Sequence, residues 1–128
     1  MKSLLRNILI LSFMIAGSAM ADTVPYTQAA FDKLQHDGKP ILVAVHADWC
    51  PVCRAQAPVI DSLLRQKKFQ GVASLRVDFD NQKEIVRAFR VSRQSTLIVF
   101  KDGKEAGRSL GDTTPDGIES LLLKALKE

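Results

Sequence analysis

Cysteine is scarce in this sequence, because Cys50 and Cys53 are the only two among 128 residues. Two cysteines exclude the multi-bridge disulfide framework that stabilises many small secreted domains. The fold must therefore depend on a hydrophobic core, which the 46% of apolar residues can supply. The length is typical of one domain, and no internal repeat or low-complexity segment indicates a second one.

No apolar run is long enough to span a bilayer. The strongest one, residues 8–16, is followed by Gly17, whereas a transmembrane helix needs roughly 20 apolar residues. Basic residues precede this run, and the sequence AMA at 19–21 fits a small-residue cleavage site. The pattern predicts a cleaved signal peptide over residues 1–21 and a mature domain over residues 22–128. Retention as a membrane anchor is the alternative, and no stable anchor is expected after cleavage.

Long runs of basic residues are missing as well, and Lys67 and Lys68 form the longest. The chain carries 18 basic and 14 acidic residues, and loss of residues 1–21 would leave 16 against 14. Nucleic-acid-binding domains carry a clear excess of clustered positive charge. Nucleic acid is therefore not an expected partner.

Hydrophobic spacing and turn signals predict alternating strands and helices. The predicted strands are 41–47, 72–79 and the arms of a hairpin about Asp-Gly-Lys, 96–101 and 105–110. The predicted helices follow N-caps at Thr27, at Asp80 or Asn81 and at Thr114, and a further helix begins at Pro51 and is kinked by Pro58. This order predicts an α/β fold with a mixed central β-sheet flanked by helices on both faces.

The two cysteines lie where the first of these strands passes into a helix. Unpaired backbone N–H groups and the positive end of the helix dipole stabilise a thiolate there, which can lower the pKa of Cys50 from about 8.5 to roughly 3.5–7.5. Cys50 is therefore predicted to be the attacking nucleophile. Cys53, one turn later, is placed to resolve the mixed disulfide.

Two other uses of the cysteine pair are less favoured. A structural disulfide would close a loop of about four residues and contribute only about 2 kcal/mol. A metal site needs further ligands, and the only histidines are His36, near a predicted helix end, and His46, inside a strand. The sequence favours redox chemistry, and neither a metal nor another cofactor is expected.

The segment ILVAVHADWCPVCRAQAP (41–58) resembles the active-site strand, motif and kinked helix of the thioredoxin family. The resemblance continues through VDFDNQKEIVRAFRV (77–91) and STLIVFKDGKEAGRSLG (95–111) to the last helix. It implies a thioredoxin-like fold in which Cys50 attacks, Cys53 is the buried resolving thiol and Trp49 shapes the surface beside them. It also implies that the loop containing Gln94 and Ser95 lies across from the motif and docks the backbone of the substrate.

Three positions depart from the family pattern, and the first is Ser95, which stands where the family has a cis-proline. A cis bond before a residue other than proline costs about 2.5–4 kcal/mol, so the Gln94–Ser95 bond is predicted to be trans. The hydroxyl of Ser95 is then available to a substrate or a cysteine sulfur, unless it only completes a turn.

The second departure is Ala44, at the position of the buried aspartate that relays protons to the resolving cysteine in thioredoxin. The proton must then come from water, from His46 or from the substrate. His46 replaces an aromatic residue, and it is interpreted either as a packed, hydrogen-bonded side chain or as a group that tunes the cysteine pKa values.

The third departure is the dipeptide Pro51-Val52 between the cysteines. A proline after the first cysteine resembles glutaredoxins and periplasmic disulfide-forming enzymes, whereas the histidine that strong oxidants carry beside the second cysteine is replaced by Val52. Potentials of such relatives span about 150 mV, so the dipeptide alone does not set the direction of electron flow.

These features together predict an exported, periplasmic thiol-disulfide oxidoreductase that exchanges electrons with protein disulfide or dithiol substrates. The thioredoxin-like core, the lack of an inserted helical domain and Val52 favour a reductase, with electrons from a membrane donor protein and a monomeric state. The alternatives are a disulfide-forming oxidase, a metal-binding module that uses the cysteine pair, and a non-catalytic partner or chaperone on the same scaffold.

Overall fold

The computed structural model describes residues 22–126, so the predicted signal peptide lies outside the described residues. The strands are β1 (Val24–Pro25), β2 (Ile41–His46), β3 (Ala73–Asp78), β4 (Thr96–Lys101) and β5 (Lys104–Leu110). The helices are α1 (Gln28–His36), α2 (Pro51–Leu64), α3 (Lys83–Ala88) and α4 (Pro115–Lys124), with a 3-10 turn at Lys67–Phe69. Within the described part of the chain, no helix is long and apolar enough to cross a membrane.

The five strands form one mixed sheet in the order β1-β3-β2-β4-β5. β2 lies in the centre, where it pairs in parallel with β3 and antiparallel with β4. Its apolar residues Ile41–Val45 are all buried, as expected for a strand that is covered on both faces. The order of elements predicted from the sequence is therefore confirmed, with β1 as an addition that the sequence did not indicate.

Helices cover both faces of the sheet and produce two cores. Leu42 of β2 points to the core that α2 and α4 share, whereas Ile41 and Val43 point to the opposite core, because successive residues of a strand alternate in direction. The first core also contains Leu64, Phe69, Ile118 and Leu122, and the second contains Tyr26, Phe31, Val86 and Phe100. The predicted α/β class with helices on both faces is confirmed.

Local sequence signals account for most helix starts. Thr27 accepts a hydrogen bond from the Ala30 N–H at 3.1 Å, and Thr114 accepts one from the Gly117 N–H at 3.1 Å. Each threonine thereby satisfies a backbone donor that the first turn leaves free. Pro115 occupies the first position of α4, where its missing N–H costs nothing.

The predicted start of α3 was wrong. The helix begins after Gln82, not after Asp80 or Asn81. The carboxylate of Asp78 accepts hydrogen bonds from the N–H groups of both residues, at 3.0 and 3.1 Å, and so folds them into a turn. Because of this turn, α3 begins later in the sequence than predicted, and Asp80 lies beside Trp49 of the cysteine motif.

Candidate functional site

The two cysteines lie at the first turn of α2, directly after the carboxyl end of β2. Cys50 is the N-cap of the helix, and its Sγ accepts a hydrogen bond from the Cys53 N–H at 3.2 Å. Pro51 follows at the first helical position, where its ring angle suits the helix. Both thiols are free, and each of the two cysteines is only 2% exposed.

The surroundings of Cys50 favour its thiolate. Burial opposes ionisation, but hydrogen bonds from the Cys53 thiol and from the N–H groups of Cys53 and Val52 outweigh it and lower the pKa of Cys50. The hydroxyl of Ser95 contributes in the same direction. Cys50 is therefore the sulfur that is ready to attack at a lower pH than a free cysteine.

The surroundings of Cys53 favour its protonated form. Burial is the main reason that the pKa of Cys53 is raised, and its bonding to Cys50 adds to the effect. Its Sγ lies 3.9 Å from the carbonyl oxygen of Val45. The opposite pKa directions of the two thiols match the roles of nucleophile and resolving cysteine.

A void of about 10 Å³, enough for about one water, lies beside Cys53. Ala44 forms part of its wall, at the position where the family resemblance implies a buried aspartate. The ionisable side chains around it are His46, Asp61 and Arg76. The proton source for Cys53 stays a prediction, and the position of Asp61 makes it a further candidate beside water, His46 and the substrate.

His46 ends β2 and is largely covered. Its Nε2 lies 3.0 Å from Oδ1 of Asp48, whose side chain is fully exposed. This geometry matches the packed, hydrogen-bonded interpretation. Tuning of the cysteine pKa values by His46 stays a prediction.

Trp49 and Val52 form an exposed apolar surface beside the motif, with exposed fractions of 58% and 37%. The indole Nε1 of Trp49 donates a 2.7 Å hydrogen bond to Oδ2 of Asp80. Sequence reasoning missed Asp80, because its partner is remote in the chain and the residue was interpreted only as a helix cap. The Trp49 ring is thus held by the turn that follows β3.

The loop before β4 lies across from the cysteines, and its Gln94–Ser95 bond is trans, as predicted. Ser95 has a φ of 61°, in the left-handed region. Its N–H donates to the Val45 carbonyl at 2.8 Å, and its hydroxyl donates to the carbonyl of Gln94 at 2.6 Å. Ser95 is therefore bonded to β2 through the same Val45 carbonyl that lies 3.9 Å from Sγ of Cys53.

Gln56 is a second residue that sequence reasoning missed. It is only 3% exposed, and its Nε2 donates to the carbonyl of Ser95 at 3.1 Å and to that of Asp112 at 2.8 Å. The only signal for it was a polar residue one turn after Cys53 on a face that is otherwise apolar. In the chain from residue 22 to 126, no three His, Cys, Asp or Glu side chains converge in a way that could hold a metal ion.

The sequence of this chain is similar to those of known proteins. The family model described as Thioredoxin matches residues 22–124. Thioredoxin from Chlamydia trachomatis is 36% identical over 66% of this chain and 80% of its own length, and the H-type thioredoxin of Fagopyrum esculentum is 33% identical over 80% and 87%.

Solved structures agree with this similarity. The crystal structure of Trxlp from Edwardsiella tarda superposes with a TM-score of 0.77 at 42% identity, covering 79% of this chain and 98% of that one. Thioredoxin from Fasciola hepatica superposes with a TM-score of 0.70 at 29% identity, covering 81% and 99%. The likeness thus extends over almost the entire length of both solved proteins.

Proposed function

Since this chain belongs to the thioredoxin family and is a thiol-disulfide oxidoreductase, we propose that it is an exported, periplasmic reductase of protein disulfides. The observation that carries the disulfide-exchange chemistry is the pairing of a stabilised Cys50 thiolate with a Cys53 thiol that burial keeps protonated. Cys50 can then attack the substrate disulfide, while Cys53 stays protonated until the mixed disulfide has formed. The reductase direction is supported by Val52, which stands where strong oxidants of this family carry a histidine.

The reaction follows from this arrangement. The Cys50 thiolate attacks one sulfur of the substrate disulfide, whose S–S bond breaks, and the departing substrate sulfur takes up a proton. Cys53 then loses its proton and attacks Sγ of Cys50, which releases the second substrate sulfur. Two electrons have passed to the substrate, and the protein ends with a Cys50–Cys53 disulfide.

Export is supported by the sequence of residues 1–21, whose basic start and apolar run predict a signal peptide, and by the start of the family match at residue 22. An exported reductase must regain two electrons after each turnover, and we propose a membrane donor protein as their source. The protein is proposed to act as a monomer. Sequencing the N-terminus of protein recovered from the periplasm should give Asp22 as the first residue, and recovery in the cytoplasm with residues 1–21 intact would contradict export.

The direction of electron flow is tested by the equilibrium with glutathione. A reductase should have a potential close to the value of about −270 mV that is typical of thioredoxin, and well below the value of about −120 mV that is typical of a strong disulfide-forming oxidant. Reduced protein should also reduce a disulfide-bonded protein substrate when a strong dithiol regenerates it. Failure to do so would contradict the reductase proposal.

A disulfide-forming oxidase is the second candidate, favoured by the lowered pKa of Cys50. A stabilised thiolate stabilises the reduced protein and so raises the potential of the pair. A potential near the oxidising end of the scale would select this function. Metal analysis of protein purified in the reduced state tests the metal-binding alternative, and retained function in a Cys50→Ala/Cys53→Ala variant would indicate the non-catalytic one.

A further inference from the structure

Ser95 adopts a backbone conformation that its side chain disfavours. Its φ of 61° lies in the left-handed region, which glycine adopts readily and residues with a Cβ do not. Such a conformation persists only where neighbouring contacts hold it in place. Because the loop of Ser95 lies across from the redox pair, the contacts that hold Ser95 also affect the surroundings of the two cysteines.

Three hydrogen bonds fix the backbone of Ser95. Its N–H donates to the Val45 carbonyl at 2.8 Å, and its own carbonyl accepts from the Gly111 N–H at 2.9 Å and from the Gln56 amide at 3.1 Å. The first two connect main chain to main chain. The third comes from a side chain, so it depends on the identity of residue 56.

Gln56 connects three segments through one amide group. It belongs to α2, one turn after Cys53, and its Nε2 also donates to the Asp112 carbonyl at 2.8 Å, in the loop between β5 and α4. The amide nitrogen has two hydrogens, so it can serve both carbonyls at once. At 3% exposure Gln56 would be costly to bury without these partners.

Ser95 forms part of the surroundings of both cysteines. Its N–H donates to the Val45 carbonyl at 2.8 Å, and Sγ of Cys53 lies 3.9 Å from the same carbonyl oxygen. Ser95 also acts to lower the pKa of both cysteines. A small movement of the loop would therefore change the environment of both sulfurs. The same loop is where a substrate backbone is proposed to dock, so its position also bears on substrate binding.

We infer that Gln56 is a positioning residue of the redox site, which holds Ser95 against Cys50 and Cys53 by tying its loop to the helix that carries them. The inference rests on the proposed function for its effect on substrate binding. Its effect on Cys50 is independent of any substrate, because it acts through the position of Ser95 alone.

The direct test is Gln56→Leu, which keeps the approximate size of the side chain and removes both donors. The thiolate absorbance of Cys50 should titrate at higher pH than in the wild type. The KM for a disulfide-bonded protein substrate should rise about fivefold, the change expected for one lost hydrogen bond of ordinary strength, while kcat changes less.

Gln82→Leu is the matched control. Gln82 also joins two backbone segments, because its amide donates to the Tyr26 carbonyl at 3.1 Å and its Oε1 accepts from the Asp78 N–H at 2.9 Å. It has no bond to the loop of Ser95 in the described structure. This variant should lose stability without shifting the Cys50 titration or the KM.

A double variant distinguishes loop positioning from a general loss of structure. Glycine adopts a positive φ without strain, so Ser95→Gly should reduce the dependence of the loop on Gln56. The substitution Gln56→Leu should therefore raise the KM less in the Ser95→Gly background than in the wild type. Additive effects in this cycle would overturn the inference.

The inference is also overturned if Gln56→Leu folds and shows the wild-type Cys50 titration and KM, since Gln56 would then be only structural. If Gln56→Leu does not fold alone, the same comparison is made between Ser95→Gly and the double variant. A wild-type protein that reduces no disulfide would contradict the proposed function, and the Cys50 titration would still decide the role of Gln56.

Discussion

The backbone N–H of Cys53 donates a hydrogen bond to Sγ of Cys50 at 3.2 Å. The contact exists because the two cysteines are three positions apart and the first is the N-cap of α2, whose side chain faces the third N–H of the helix. The spacing of the motif thus supplies both the second thiol and a donor that stabilises the first thiolate.

We expect alkylation of reduced protein to begin at Cys50, at a pH below that required for a free cysteine. In Cys53→Ser, Cys50 should remain reactive, whereas Cys53 in Cys50→Ser should react slowly because burial raises its pKa. Mass spectrometry after timed alkylation across a pH series measures both rates. Equal reactivity of the two thiols at neutral pH would contradict the assignment of nucleophile and resolving cysteine.

The lowered pKa of Cys50 also predicts a pH dependence of stability in the reduced protein. The unfolded chain holds its proton to higher pH than the folded one, so the free energy of unfolding of Cys53→Ser should rise as pH increases between the two pKa values. The gain is complete above the unfolded pKa and is lost as pH falls through the folded one. Cys50→Ser/Cys53→Ser is the control, in which this rise should be absent.

Cys53→Ser should accumulate mixed disulfides with protein substrates, whereas Cys50→Ser should form none. Cys50 makes the first bond to the substrate, and without Cys53 no thiol is placed to break it. Non-reducing electrophoresis of extracts measures the trapped species. Trapping by Cys50→Ser instead would reverse the two roles.

Val52→His should make the protein more oxidising. Val52 is 37% exposed, so the larger polar side chain can be accommodated, and a protonated imidazole there would stabilise the Cys50 thiolate. A charge-assisted hydrogen bond corresponds to a rise on the order of 30 mV in the potential of the pair. Equilibration with glutathione at about pH 6 measures it, and Val52→Gln, which adds polarity without charge, should shift the potential less.

Asp80→Ala should free the ring of Trp49. The 2.7 Å hydrogen bond to Asp80 is the restraint that the structure shows on this exposed side chain, and Trp49 is the only tryptophan in the sequence. Fluorescence anisotropy should therefore fall, while the free energy of unfolding changes by less than about 1 kcal/mol because the pair is exposed. Asp48→Ala, which removes the neighbouring carboxylate that bonds His46, should leave the anisotropy unchanged.

Leu122 and Leu123 provide a matched pair for the core. Leu122 is fully buried between α4 and the sheet, whereas Leu123 is 36% exposed on the same helix. Leu122→Ala should reduce the free energy of unfolding by about 2–5 kcal/mol, and Leu123→Ala by less than about 1 kcal/mol. Chemical denaturation measures both, and similar losses would contradict the packing described for α4.

The sequence by itself determined the parts of this protein that depend on neighbouring residues. These parts are the apolar run of β2, the caps Thr27 and Thr114, and the two cysteines with two residues between them. Each depends on contacts between residues only a few positions apart. Such contacts follow the period of a helix or strand, so they can be predicted from the order of the residues in the sequence. The family resemblance extended these local predictions to the fold of the whole domain and to the roles of the two cysteines.

Only the tertiary structure decided the contacts that surround the pair. Gln56 bonds residues 39 and 56 positions away, and the indole of Trp49 bonds a carboxylate 31 positions away. The late start of α3 depends on Asp78, which captures the N–H groups of the next turn. A buried amide or a residue with positive φ is favourable only beside particular partners, and folding of the sheet is what brings those partners together.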